Sequence, residues 1–121
     1  MCLIYYDDAK LDAMPEKDYQ QLVDEALEYD EELQRSGNSL ARGALQSVNS
    51  ATSIRIQNGK VSVTDGPFVE TKEHLGGIVL IEARDLNEAI QMASKLPPAR
   101  LGGVEVRPIR ELKKSSSTQS H

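Results

Sequence analysis

The chain predicts one antiparallel α+β domain with two helices on one face of a sheet, and three observations carry that expectation. Short apolar runs read as strands at "CLIYY", "GGIVLIEA" and "GGVEVRPI". Two segments with helical apolar spacing fall between such runs, and an Asn-Gly pair joins two alternating segments. At 121 residues the chain buries one core without metals or disulfides. Residues 1–112 are expected to form the domain, and 113–121, "KKSSSTQSH", a flexible polar tail.

The first strand, "CLIYY", stops at Asp7-Asp8, and a polar connection leads to Pro15, which suits the first turn of a helix. Tyr19, Leu22, Ala26, Tyr29 and Leu33 then recur at spacings of three and four, flanked by Val23 and Leu27, and Gly37 ends the helix. Its acidic face, Asp24, Glu25, Glu28, Glu31 and Glu32, reads as solvated surface. "SLARGALQS" (39–47) suggests a strand with a bend or bulge at Gly43. In "SIRIQNGKVSV" a two-residue type I′ turn at Asn58-Gly59 sets Gln57 opposite Lys60, Ile56 opposite Val61, Arg55 opposite Ser62, Ile54 opposite Val63 and Ser53 opposite Thr64. One face of this hairpin is therefore aliphatic and the other polar.

"GGIVLIEA" reads as a central strand. Asp85 with Glu88 three residues on makes a capping-box pattern for a second helix, whose buried stripe is Leu86, Ala89, Ile90, Ala93 and Leu96 and which Pro97-Pro98 ends. The last strand alternates Val104 and Val106 with Glu105 and Arg107, and Pro108 marks an edge or the strand's end. The order gives two β-α-β halves, a ferredoxin-like sandwich with the Asn-Gly hairpin inserted between them. Helices on one face leave the other face of the sheet uncovered, so a homodimer with two sheets enclosing a space is expected.

Composition excludes several functions. A net charge of -5 repels phosphate backbones, and four Tyr, one Phe and no Trp offer few stacking platforms, so no direct nucleic-acid binding is expected. No run approaches the roughly 18 apolar residues of a membrane span, and the start lacks a signal-peptide pattern, which implies no membrane and a cytoplasmic location. A single cysteine forms no internal disulfide, and no Cys/His cluster has metal-ligand spacing. Neither metal nor cofactor is expected.

The chemistry-bearing residues cluster in "TDGPFVETKEHLGG" (64–77). Asp65-Gly66-Pro67 makes a sharp exit from the hairpin, Phe68 would plug the loop, and Gly76-Gly77 lead into the next strand. With "IYYDD" at the start, "ATSIRIQNGKVSVTDGPFVETKEHLGG" in the middle and "IEARDLNEAIQMASKLPPARLGGVEVRPI" near the end, the chain resembles the DGPF branch of the YCII-related proteins, a bacterial family, over most of its length. The resemblance implies a ferredoxin-like fold paired as a dimeric α+β barrel, and association with sigma-factor pathways. In the wider family it implies a His and an Asp near a cleft. Here the only histidines are His74, where the DGPF pattern mostly has Gln, and His121 at the chain's end.

Two functions follow. In one, the protein is a dimeric small-molecule-binding or regulatory module, in which Arg55, Phe68, Lys72, Glu73 and His74 meet a small anionic or polar ligand. In the other it is a cofactor-independent isomerase, lyase or hydrolase with Asp65 or Glu70 as general base. Against both stands a plain architectural loop in which Asp65 caps a turn and Glu70, Lys72 and Glu73 form surface ion pairs.

Overall fold

Strand β1 (Cys2–Tyr6) alternates strictly, with Cys2, Ile4 and Tyr6 buried and Leu3 and Tyr5 half-buried. The structure, a computed structural model, describes residues 1–115. β1 lies inside a four-stranded antiparallel sheet of order β2-β5-β1-β6, formed with β2 (Ser39–Ala44), β5 (His74–Ile81) and β6 (Gly102–Val106). This order is compatible with a ferredoxin-like sandwich. Pro108 falls beyond β6, and β6 is an edge strand.

The polar connection after β1 is not irregular, because Asp7 accepts from the Ala9 N–H at 2.9 Å and caps a short helix, α1 (Asp8–Asp12). Pro15 stands at the N-cap of α2 (Glu16–Arg35). At the other end Gly37 takes a φ of 78°, and the N–H groups of Asn38 and Gly37 donate to the carbonyls of Leu33 and Gln34 at 2.8 and 3.0 Å. That is a Schellman stop, which needs a residue without Cβ strain at this one position.

The core lies between the helices and one face of the sheet: Cys2, Ile4, Tyr6 and Val79 pack with Ala93 and Leu96. Burial raises the pKa of the Cys2 thiol and of the Tyr29 phenol, whose hydroxyl donates to the Met92 carbonyl at 2.8 Å and ties α2 to α3 (Leu86–Ala93). α3 corrects the expected stripe. Ala89 and Ala93 are buried, but Leu86 and Ile90 are 61% and 49% exposed, because the small alanines make the close approach and the flank beside them has no neighbour among the described residues. The helix also ends before Pro97, with Leu96 buried outside it and Pro97–Leu101 forming a 3₁₀ turn. Asp85 caps α3 by accepting from the Glu88 N–H at 2.8 Å, while the Glu88 carboxylate reaches Arg84, one residue earlier than a capping box requires.

The irregularity of β2 falls between Ser39 and Ala41 and not at Gly43. A second one occurs where Ile4 pairs with Gly77 and Tyr5 with Leu75, leaving Gly76 as the extra residue. The Tyr6 ring occupies the side-chain space there, and a Cβ on Gly76 would lie 2.2 Å from the ring.

The hairpin of β3 (Thr52–Gln57) and β4 (Lys60–Asp65) has every cross-strand pair expected of it, and Asn58 and Gly59 take φ of 52° and 76°. It forms a separate two-stranded sheet. Its aliphatic face, Ile54, Ile56, Val61 and Val63, is uncovered. On the sheet's far side Leu3, Tyr5, Ile78 and Leu80 also remain partly exposed. No helix among the described residues is long and apolar enough to cross a membrane. Residues 113–115 carry no helix or strand; 116–121, the rest of the expected tail with His121, lie outside the described residues.

Candidate functional site

Two regions hold ionisable groups in defined places, and the loop from Asp65 to His74 is the one the sequence emphasises. Asp65 ends β4, and Asp65, Glu70, Lys72 and Glu73 are all exposed. None of these four joins an ion pair among the described residues. The turn is instead closed by the backbone: the Gly66 N–H donates to the Ala51 carbonyl at 2.7 Å, and the Ser53 hydroxyl donates to the Gly66 carbonyl at 2.6 Å.

Phe68 is not a buried plug. It is 58% exposed, and the Arg55 guanidinium lies 4.7 Å from its ring centroid, so the ring serves as a platform for the cation. His74 opens β5 and is partly buried, with Nε2 3.4 Å from the Thr71 N–H and 3.3 Å from the Val69 carbonyl. A single ring nitrogen accepts from the first or donates to the second according to tautomer, and either contact holds the loop to the strand. The Glu73 carboxylate reaches the start of β6, 2.8 Å from where a Cβ on Gly102 would sit. Arg55 shares a surface hollow with Gln57, Asn58, Lys60 and Ser62, and His74 shares another with Leu45, Val48, Pro67 and Leu75. Neither hollow includes Asp65, Glu70, Lys72 or Glu73.

The second region lies under α2. Antiparallel register puts Arg42 opposite Val79 and Ala44 opposite Gly77, on the helix-facing side of the sheet with Ile4. Ala44 and Gly77 are too small to fill the space below Ala26 and Leu27, and a half-open cavity of about 110 Å³ results, with Tyr6 and Leu96 among its other walls. Its lining is mainly apolar.

Asp30 and Arg42 form its charged wall. The Asp30 side chain is 7% exposed and that of Arg42 47%. Arg42 Nε donates to Asp30 Oδ2 at 2.6 Å, Gln34 Nε2 donates to the same oxygen at 2.6 Å, and the Ser39 hydroxyl donates to Oδ1 at 2.7 Å. Three donors on one buried carboxylate fix both it and the guanidinium. The Tyr6 hydroxyl donates to the Gly76 carbonyl at 3.3 Å, and burial, with smaller contributions from Asp8 and Tyr19, raises its pKa.

Sequence reading missed this pair because Asp30 stands among many acids. One signal was available: Asp30 lies four residues after Ala26 and three before Leu33, on the apolar stripe and off the acidic face. An acid at a stripe position needs a partner.

Fold and site together define an antiparallel α+β sandwich with an apolar cavity under its long helix and, in its wall, a buried carboxylate paired with a half-exposed guanidinium. The sequence profile of the YCII-related domain matches residues 1–113, and the chain belongs to that family. An uncharacterized protein of Rhizobium meliloti (strain 1021) is 44% identical over 61 residues, a match covering 49% of this chain and 49% of that relative. The match thus spans about half the length of the curated relative.

Proposed function

We propose that the protein is a small-molecule-binding module of the DGPF branch, working in the cytoplasm as a homodimer and serving a regulatory pathway of the sigma-factor type. One observation carries the binding reading: the cavity beneath α2, apolar except for a guanidinium held by a buried carboxylate. The cavity opens to solvent, so a ligand seated in it takes the apolar lining out of water, which favours binding.

Pairing through the uncovered face of the sheet would bury Leu3, Tyr5, Ile78 and Leu80, and the hairpin's aliphatic face offers a further surface to the partner. The result would be the dimeric α+β barrel. Its interface lies on the sheet face opposite the cavity, so each copy would keep its own ligand site. The exposure of Asp65 and Glu70 supports binding over carboxylate-base catalysis, since a general base is normally held in a defined, partly desolvated place. Ligand binding at Arg55, Phe68, Lys72, Glu73 and His74 is the competing location.

A metabolite screen by thermal shift tests both places. Stabilisation lost in Ala44→Leu but kept in Arg55→Ala assigns the ligand to the cavity; the reverse assigns it to the loop, and no stabilising compound contradicts the binding function. Light scattering at micromolar concentration tests the dimer, which a monomeric mass would refute.

A further inference from the structure

We infer that the cavity takes a short-chain aliphatic monocarboxylate, its carboxylate on Arg42 and its tail against Ile4, Leu27, Ala44 and Leu96. This inference rests on the binding function proposed above and names the ligand class.

Size sets the first limit. A buried cavity of about 150 Å³ accommodates the six carbons of benzene, so about 110 Å³ takes a tail of roughly four. A whole nucleotide, sugar or long-chain fatty acid does not fit within it. The lining sets the second limit: the Tyr6 hydroxyl already donates to a backbone carbonyl, and the buried Asp30 oxygens are occupied by Arg42, Gln34 and Ser39. The portion of a ligand inside the cavity therefore meets hydrocarbon.

Charge sets the third. Arg42 spends Nε on Asp30, and its Nη1 and Nη2 make no hydrogen bond among the described residues. Those terminal nitrogens form a planar edge matching the two oxygens of a carboxylate, and Asp30 fixes the plane in advance. A guanidinium has no acceptor to offer a cation. A phosphate dianion brings twice the charge of a carboxylate to a guanidinium already paired with Asp30, in a chain of net charge -5, and is the more disfavoured of the two. At 47% exposure, Arg42 stands at the mouth, where a carboxylate stays partly hydrated while its tail leaves water.

Calorimetric titration of the full chain at pH 7 with isovalerate, acetate, octanoate and isovaleramide tests the class. Isovalerate should bind with a Kd of about 1 mM or tighter, as a good ligand of its size can. Acetate lacks the tail, octanoate does not fit, and isovaleramide lacks the charge; each should bind at least about tenfold more weakly. Arg42→Lys keeps a cation beside Asp30, so the fold should survive, as a melting curve would verify. It should weaken isovalerate roughly tenfold while leaving isovaleramide unchanged. Ala44→Leu, which fills the cavity, should abolish the isovalerate heat. Equal binding of isovalerate and isovaleramide, or no effect of Arg42→Lys, overturns the inference. If isovalerate gives no heat but another compound stabilises the wild type and not Ala44→Leu, the carboxylate class fails and the binding function stands. If nothing stabilises the wild type, both fail.

Discussion

The cavity wall under α2 and the loop after the hairpin contrast in what surrounds their charges. Asp30 has three donors within 2.7 Å and is almost wholly withdrawn from water. Asp65, Glu70, Lys72 and Glu73 stand in water without ion-pair partners among the described residues. Charge in a low-dielectric setting is held in place and is costly to disturb, whereas exposed charge is screened and adaptable. A crowd of ionisable letters therefore marks a surface more readily than a site, and one acid on an apolar stripe carries more information.

The largest effect should come from the buried carboxylate. Asp30→Ala removes three hydrogen bonds and leaves Arg42 without its partner, at an expected cost of about 3 kcal/mol in urea unfolding. Glu70→Ala should change stability by less than about 0.5 kcal/mol in the same measurement. Equal costs would erase the contrast between the regions.

Gly76→Ala should follow at about 2 kcal/mol, since its Cβ would meet the Tyr6 ring. Combining it with Tyr6→Leu should cost less than the sum of the single changes, because the clash is removed; simple additivity would place the strain elsewhere. Asp85→Ala should cost about 1 kcal/mol through loss of the α3 cap, read from the thermal midpoint.

Alkaline titration should separate buried from exposed phenols. Tyr6 and Tyr29 have raised pKa values in the folded state, chiefly from burial, so above the ordinary tyrosine value of about 10 the native state binds more protons than the unfolded one. Their contribution is fully present below that pH and is lost as pH rises toward the folded values. Unfolding followed by phenolate absorbance should show stability falling from there upward, less steeply in Tyr29→Phe. The smallest effect belongs to Arg55→Ala, about 0.5 kcal/mol for an exposed cation over a ring.

Local rules made much of the fold legible. The Asn-Gly turn determined the hairpin register, and Gly37 and Asp85 marked helix ends because each acts through its own neighbouring backbone. What escaped depends on residues distant in sequence. Leu86 and Ile90 are exposed because no described residue covers their flank of α3, and Phe68 is a platform because Arg55 crosses to it from β3. The Asp30–Arg42 pair joins a helix to a strand 12 positions away, and the cavity beside it exists only where Ala44 and Gly77 meet across two strands. No single segment carries that information.

A crystal structure of the protein grown with isovalerate tests most directly whether the Asp30–Arg42 pair, and not the charged loop, is the binding centre. Two carboxylate oxygens should face the terminal nitrogens of Arg42, with the branched tail running beneath α2 toward Leu96. Isovalerate at the Arg55–Phe68 stack with the cavity unoccupied would contradict this.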